Sequence, residues 1–108
     1  MSLKNTMSTA TITIRGRRGQ IVFFDDEDRE QMEEFVGWLE DYPESGHRIR
    51  CAEIIYYEFT RTTVTLQLTL CEWSAERIAV FLCKCYDSYF RRKYKRDGKQ
   101  TEYEIKRD

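Results

Sequence analysis

The sequence predicts a two-layer α+β fold, in which an antiparallel sheet carries two helices on one face in the order ββαββα. Two pairs of β-prone segments alternate with two amphipathic segments, and a helix-capping residue precedes each amphipathic segment. The chain has 108 residues, of which 41% are hydrophobic and 14% aromatic, and this suits one domain with one core. Residues 1–10 are predicted to be a flexible leader, and residues 11–108 to be the domain.

Residues 11–24 are predicted to form the first hairpin. Polar and apolar residues alternate before a turn at 16–19, and the residues that follow the turn are β-prone. Gly19 is expected to take a positive φ, which a glycine adopts without steric cost. Pairing across this turn places Ile21 and Phe23 on the face that the helices do not cover.

A capped helix is expected after each hairpin. The first helix is predicted from Asp26 to Asp41, where early acidic residues complement the positive end of the helix dipole, and Pro43 ends it. The second helix is predicted to begin after Ser74 and to continue into a basic run that Gly98 breaks. A short edge strand is predicted at residues 101–105.

Residues 51–59 and 63–71 are predicted to form the second hairpin, and two turn lengths fit them. A four-residue turn leaves Ile54 and Tyr56 on the face away from the helices. The residues that a three-residue turn leaves on that face are Ile55, Tyr57 and Phe59. We favour the four-residue turn, because the three-residue form usually has a glycine at its last position.

Both registers place apolar side chains on both faces of the sheet, although the face opposite the helices is usually polar. There are three interpretations: a terminal segment of the chain covers these side chains, they are simply half-exposed, or they bind a partner. The third interpretation predicts a protein partner, and the simplest such partner is a second copy of the chain. The candidate interface residues are Ile21, Phe23, Ile54 and Tyr56.

Charge is separated along the chain, although the net charge is only −1 at pH 7. Residues 25–44 contain ten acidic residues and one arginine, whereas residues 91–99 contain six basic residues and one acidic residue. Helix-dipole effects favour both runs, and the basic run could also neutralise the acidic helix of a neighbouring subunit. Aromatic residues lie within the basic run, so the alternative function is single-stranded nucleic-acid binding. Its candidate contacts are Arg17, Arg18, Arg91, Arg92, Lys93, Tyr94, Lys95 and Arg96.

No motif in the sequence indicates catalysis, a metal site or a cofactor. Cys83 and Cys85 lie two residues apart on a predicted helix, so their side chains point in different directions and cannot share a metal ion. A disulfide between Cys51 and Cys71 requires the three-residue turn and is therefore disfavoured. His47 is the single histidine and is predicted in a loop without an orienting partner. We therefore expect a non-enzymatic protein without a cofactor.

The cellular location is also predicted from the composition. No stretch approaches the roughly 20 apolar residues that span a bilayer, and the first residues lack the apolar centre of a signal peptide. The four cysteines are then expected to be free thiols in a reducing compartment. The sequence therefore predicts a cytoplasmic binding protein without membrane contact.

Overall fold

The computed structural model describes residues 8–107, which form six strands and two α-helices. The strands are β1 (Thr9–Gly16), β2 (Tyr42–Glu44), β3 (His47–Ile49), β4 (Ala52–Phe59), β5 (Thr63–Leu70) and β6 (Thr101–Arg107). The helices are α1 (Asp26–Gly37) and α2 (Ala75–Tyr94). A four-stranded antiparallel sheet has the order β4-β5-β1-β6, and β2 and β3 form a separate hairpin. The predicted α+β class is confirmed, and the predicted order of elements roughly matches the observed one.

Two interleaved crossovers, each containing one helix, connect the strands of the main sheet. β1 and β4 both run antiparallel to β5, so α1 connects two parallel strands that have β5 between them. In the same way α2 connects β5 to β6 across β1. This connectivity is the split β-α-β arrangement of ferredoxin-like folds.

The prediction that residues 20–24 form the second strand of the first hairpin is wrong. β1 lies in the middle of the sheet, and both of its edges are already paired, one with β5 and the other with β6. Residues 20–24 instead cross the end of the sheet, where the backbone N–H groups of Val22 and Phe23 both donate to the Arg61 carbonyl oxygen at 3.1 Å. Val22 and Phe23 are buried in the core, which stabilises this path.

A short 3₁₀ turn, Arg17–Gly19, follows β1 and reverses the chain. Gly19 has a φ of 73°, as predicted, and Arg18 also takes a left-handed conformation with a φ of 58°. Gly16 is required for a different reason, because a Cβ atom there would lie 2.1 Å from the carbonyl oxygen of Gln20. The absence of a side chain at Gly16 therefore allows the chain to fold back tightly on itself.

The core lies between the sheet and the helices. Alternate residues of β1 and β5 are buried, so that Ile12 pairs with Leu66 and Ile14 with Val64 on the helix side. Tyr86, on α2, is fully buried above them and donates a hydrogen bond to the carbonyl oxygen of Val22. The two helices thus cover one face of the sheet, as the sequence predicts.

The face of the sheet away from the helices is mainly polar, and the prediction of two apolar faces is wrong. The residues that β1 and β5 place on this open face are Thr9, Thr11, Thr13, Arg15, Thr63, Thr65, Gln67 and Thr69. β6 adds the charged residues Glu102, Glu104 and Lys106. The apolar expectation failed because residues 20–24 do not belong to the sheet.

The second hairpin has the predicted four-residue turn, since Phe59 pairs with Val64. A β-bulge then shifts the register of β4, and Ile54 pairs with Leu68, where Ile55 was expected. Ile54 consequently turns to the helix side and is half-buried, and its predicted position on the open face is wrong. The bulge leaves Ile55 exposed at the edge of the sheet.

Both predicted helix starts are confirmed. The Asp25 side chain accepts a hydrogen bond from the backbone N–H of Asp28 at 3.0 Å, and the Ser74 side chain accepts one from Arg77 at 3.1 Å. Both helices end earlier than the sequence predicts. α2 ends at Tyr94 because the next residue takes a left-handed conformation, with a φ of 59°.

The hairpin of β2 and β3 replaces a predicted loop. Ser45 and Gly46 have positive φ values of 49° and 83°, which is the geometry of a primed two-residue turn. His47 therefore begins a strand, and the prediction that it lies in a loop is wrong. Gly46 indicates a turn in the sequence, but the two strands are only three residues long, which is too short to give a recognisable strand pattern.

The predicted C-terminal edge strand is confirmed and extends to Arg107. β1 begins at Thr9, so Thr9 and Ala10 belong to the sheet and not to the predicted leader. Ser8 is described, and its carbonyl oxygen accepts a hydrogen bond from the backbone N–H of Leu70 at 2.8 Å, whereas residues 1–7 of the leader lie outside the described residues. Neither described α-helix combines the length and the apolar character needed to cross a membrane.

Candidate functional site

The structure separates the four residues of the candidate interface. Phe23 is only 5% exposed and packs between Phe59 and Tyr86, with ring centroids 5.2 and 5.1 Å away. Ile21 is half-buried in the segment that crosses the end of the sheet. The outward position predicted for Phe23 is therefore wrong, because the core of its own chain covers it.

Tyr56 is on the open face of β4, as predicted, and is 53% exposed. Its two neighbours, Ile55 and Tyr57, are 54% and 44% exposed, so three consecutive large side chains reach solvent at this edge. Sequence reasoning treated Ile55 and Tyr57 as alternatives to Tyr56, since a regular strand alternates its faces. The bulge exposes Ile55, whereas Tyr56 and Tyr57 lie on opposite faces of the edge strand and reach solvent there.

Glutamates surround these three side chains. The Tyr56 hydroxyl donates to Glu58 at 3.2 Å, and the Tyr57 hydroxyl donates to Glu33 of α1 at 3.1 Å. These hydrogen bonds, together with the negative charge of each glutamate, raise the pKa of both tyrosines. We call the following group the β4 surface: Ile55, Tyr56, Tyr57, Glu33, Glu40, Glu53 and Glu58.

The charge of the β4 surface is not neutralised within the described part of the chain. None of its four glutamates forms an ion pair there. Glu40 has a structural role, because its carboxylate accepts a hydrogen bond from the backbone N–H of Ile54 at 2.9 Å. Strand β4 contains no basic residue. The surface therefore combines apolar area with uncompensated negative charge.

The predicted contacts Arg17 and Arg18 lie in the turn after β1, and Arg91 lies in the last turn of α2. The Arg17 guanidinium donates to the carbonyl oxygen of Lys99 at 3.2 Å, which joins the turn after β1 to the loop before β6. Lys99 lines three adjoining hollows, which also contain Arg18, Lys84 and Arg91. We call these five residues the basic surface. Sequence reasoning missed Lys84, because only the packing of α2 beside β6 brings it near Arg17.

Lys93 and Tyr94 belong to a different cluster, which joins α2 to the start of α1. The Lys93 ammonium lies 2.9 Å from Asp25, 2.6 Å from Glu27 and 2.9 Å from Asp28. These carboxylates are close enough together to suggest a metal site, but they converge on the ammonium of Lys93. Lys93, from the basic run, thus neutralises acidic residues at the start of α1 in its own chain.

Asp28 is the centre of this cluster and is fully buried. It accepts hydrogen bonds from the Tyr89 and Tyr94 hydroxyl groups, both at 2.6 Å, and from the backbone N–H of Phe24 at 2.9 Å. Burial raises the pKa of Asp28, but the hydrogen bonds from Tyr89, Tyr94, Lys93 and Phe24 together outweigh it, and the pKa lies below its usual range. The cluster stabilises the packing of α1 on α2.

The cysteines provide no reactive thiol pair. Cys51 and Cys71 lie on neighbouring segments, where the N–H of Cys71 donates to the Cys51 carbonyl oxygen at 3.1 Å, and both thiols are free. Burial raises the pKa of Cys51 to about 11 and that of Cys83 to about 11. Neither thiol is therefore activated as a nucleophile at neutral pH.

Comparison with known proteins adds no functional assignment. No protein-family model matches the sequence, and no curated protein matches it significantly. Function is therefore inferred from the two surfaces, one acidic and aromatic, the other basic.

Proposed function

We propose that the chain is a non-enzymatic binding protein, whose β4 surface recognises a basic segment of a partner protein. One observation carries this proposal: three adjacent exposed hydrophobic side chains lie among four glutamates that have no basic partner among residues 8–107. Tyrosines dominate the binding energy of many protein interfaces, because a tyrosine buries a large area at a low cost in conformational entropy.

The chemistry of the surface selects the kind of partner. Lysine or arginine side chains complement the four glutamates, and an apolar side chain between them would pack on Ile55 and Tyr56. The hydroxyl of Tyr56 is tied to Glu58, and that of Tyr57 to Glu33, so both rings are partly ordered before a partner binds. Four free thiols support the proposal that the protein works in the cytoplasm.

Random peptides displayed on phage provide a defined test. We expect selection on the full chain to enrich peptides rich in lysine and arginine, with at least one large apolar residue. Monovalent synthetic copies of these peptides should lose at least tenfold in affinity with Tyr56→Ala, as measured by fluorescence anisotropy. Their affinity should also fall as salt is added, because the surface charges are exposed.

Tyr103→Ala is the matched control, because Tyr103 is 41% exposed but lies on β6, the opposite edge of the sheet. This substitution should change the affinity less than twofold. The proposal is wrong if no peptide is enriched, if the enriched peptides carry no basic excess, or if Tyr56→Ala binds them as the wild type does.

A second candidate function is single-stranded nucleic-acid binding through the basic surface. The contact of Arg17 with Lys99 favours it, because this contact brings two basic segments that are distant in sequence onto one side of the molecule. The side chains of Arg17, Arg18 and Lys99 make no ion pair with a described residue. Lys93 and Tyr94 are not part of this candidate site, because Asp28 already engages both.

A fluorescent single-stranded oligonucleotide of about 20 nucleotides tests the second candidate. We expect binding at low salt, and we expect Arg17→Ala combined with Lys99→Ala to reduce the slope of log K against log salt by about 1–2. Arg50→Ala, at an exposed basic residue outside the basic surface, should leave the slope unchanged. Absence of binding at about 50 mM salt would exclude this function.

A further inference from the structure

The outer edge of β6 has no partner strand among residues 8–107. Thr101–Arg107 pair with β1 on the inner side, over seven residues. On the other side, no residue between 8 and 107 forms a backbone-to-backbone hydrogen bond with this strand, and the Asp87 side chain engages it only at Thr101. Such an edge is a ready template for another strand.

We propose that β6 pairs with β6 of a second copy of the chain, antiparallel and about a two-fold axis at Glu104. The two four-stranded sheets then form one continuous sheet of eight strands. This inference goes beyond the proposed function and does not depend on it, since the β4 surface remains free at both ends of the joined sheet.

The charges of β6 select this register. With the axis at Glu104, all seven residues pair, and Glu102 of each copy faces Lys106 of the other, so two ion pairs form across the open face. The two Glu104 side chains meet at the axis, but each forms an ion pair with Arg15 of its own chain. These two arginines reduce the repulsion between the glutamates.

The neighbouring registers are less favourable. An axis at Tyr103 would place Glu102 directly against Glu104 twice, and like charges in such positions are destabilising. An axis at Ile105 would pair Lys106 with Glu104, which Arg15 of the same chain already neutralises, and would pair only five residues of β6 within 101–107. The axis at Glu104 is therefore the self-complementary choice.

The apolar residues of the strand agree with this register. On the helix side, Tyr103 of each copy faces Ile105 of the other. Tyr103 and the exposed Val80 line a cavity of about 410 Å³ between β6 and α2. The added strand would cover Tyr103 and Val80, which are otherwise exposed hydrophobic residues at this edge of the sheet.

Sedimentation equilibrium of the full chain over a range of concentrations tests the pairing. We expect a dimer of twice the chain mass of 13.1 kDa. Lys106→Glu and Glu102→Lys should each weaken dimerisation by about tenfold or more, because each converts both ion pairs into repulsions. The double variant Glu102→Lys, Lys106→Glu should restore it, since the charges are exchanged and remain complementary.

Mixing the two single variants gives the sharpest result. A chain with lysine at 102 and 106 complements a chain with glutamate at both positions, so the mixture should form heterodimers although each variant alone is weakened. Arg50→Glu introduces the same charge change as Lys106→Glu at a distant exposed residue and should leave dimerisation unchanged. Circular dichroism shows whether each variant is folded.

Three outcomes would overturn the inference. The first is a wild-type chain that stays monomeric at millimolar concentration. The second is a dimer that Lys106→Glu does not weaken, which would place the contact on another surface. The third is a failure of the mixed or doubly substituted chains to recover association while both remain folded. The peptide-binding test is independent of all three, because it uses monovalent ligands at the other edge.

Discussion

The two edge strands of the sheet, β4 and β6, differ in whether their outer backbone groups are free to pair with another strand. On β4 the Glu40 carboxylate accepts a hydrogen bond from the N–H of Ile54, and a β-bulge follows at once. Both features obstruct the addition of another strand. On β6 the Asp87 carboxylate engages only Thr101, at the start of the strand, and residues 102–107 have neither feature.

The side chains differ in a corresponding way. β4 carries glutamates without lysine or arginine, whereas β6 carries Glu102, Glu104, Lys106 and Arg107. A strand with one sign of charge repels its own copy, and a strand with both signs in a symmetric order attracts it. This difference is why we propose a basic partner for the β4 edge and a second copy of the chain for the β6 edge.

The largest effect on stability is expected from a substitution at Asp28. This residue joins α1, which lies beside β4, to α2, which lies beside β6. Asp28→Asn should lower the free energy of unfolding by about 2–4 kcal/mol, because Lys93 loses a buried counter-charge and one tyrosine hydroxyl loses its acceptor. Urea unfolding at pH 7 measures this. Asp26→Asn, at an exposed carboxylate of the same helix turn, should change it by less than about 0.5 kcal/mol.

The contribution of Asp28 to the stability of the fold should also depend on pH, and the direction of this dependence follows from its pKa. The pKa of Asp28 is lower in the folded state than in the unfolded state. Its stabilisation is therefore complete above the unfolded-state pKa of about 3.9 and is lost as the pH falls through the folded-state value. The wild type and Asp28→Asn should thus approach each other in stability in acid, and a constant difference down to pH 2 would contradict the assignment.

A smaller effect is expected at the β4 edge, where Glu40→Ala removes the acceptor of the Ile54 N–H. The free energy of unfolding should fall by about 1 kcal/mol, and the opened edge should allow association beyond the dimer. Light scattering at increasing concentration measures this. Glu30→Ala is the control, since it removes the same charge at an exposed glutamate of α1. A Glu40→Ala protein no larger than the wild type would show that Glu40 does not protect the edge.

The smallest effect is expected from Asp87, which lies in the cavity beside β6. Burial raises its pKa, although the Thr101 hydroxyl donates to it at 2.8 Å. A carboxyl with a raised pKa in the folded state stabilises the fold below its unfolded-state pKa and loses this contribution as the pH rises through the folded-state value. Asp87→Asn keeps an acceptor for Thr101, so it should increase stability at pH 7 and have no such benefit at pH 3, as thermal unfolding would show.

Much of the local structure could be predicted from the sequence. The caps Asp25 and Ser74 act on N–H groups three residues away, so short patterns were sufficient to place both helix starts. The four-residue turn after Phe59 and the C-terminal strand were also predicted correctly. Tyr56 was correctly placed on the open face, because side chains alternate between the two faces of a strand.

The candidate surfaces were less predictable, because each depends on contacts between distant residues. The bulge that exposes Ile55 beside Tyr56 and Tyr57 arises within a strand that the sequence pattern treats as regular, and so it could not be predicted. The bond from Arg17 to Lys99 joins residues 82 positions apart. The acidic cluster around Asp28 looked like helix capping alone, and nothing local indicated that Lys93 would reach it from α2.

The sequence by itself determined the periodicity of each segment, the helix caps, the turn glycine at 19 and the separation of charge, because these depend on neighbours a few residues apart. Only the tertiary structure decided which strands pair with β1. That strand has two edges, and β5 and β6 bury Ile12 and Ile14 in continuous rows with their own apolar residues, which excludes residues 20–24 from the sheet. The pairing thereby buries Phe23 and leaves the edges of β4 and β6 as the two contrasting borders of the sheet.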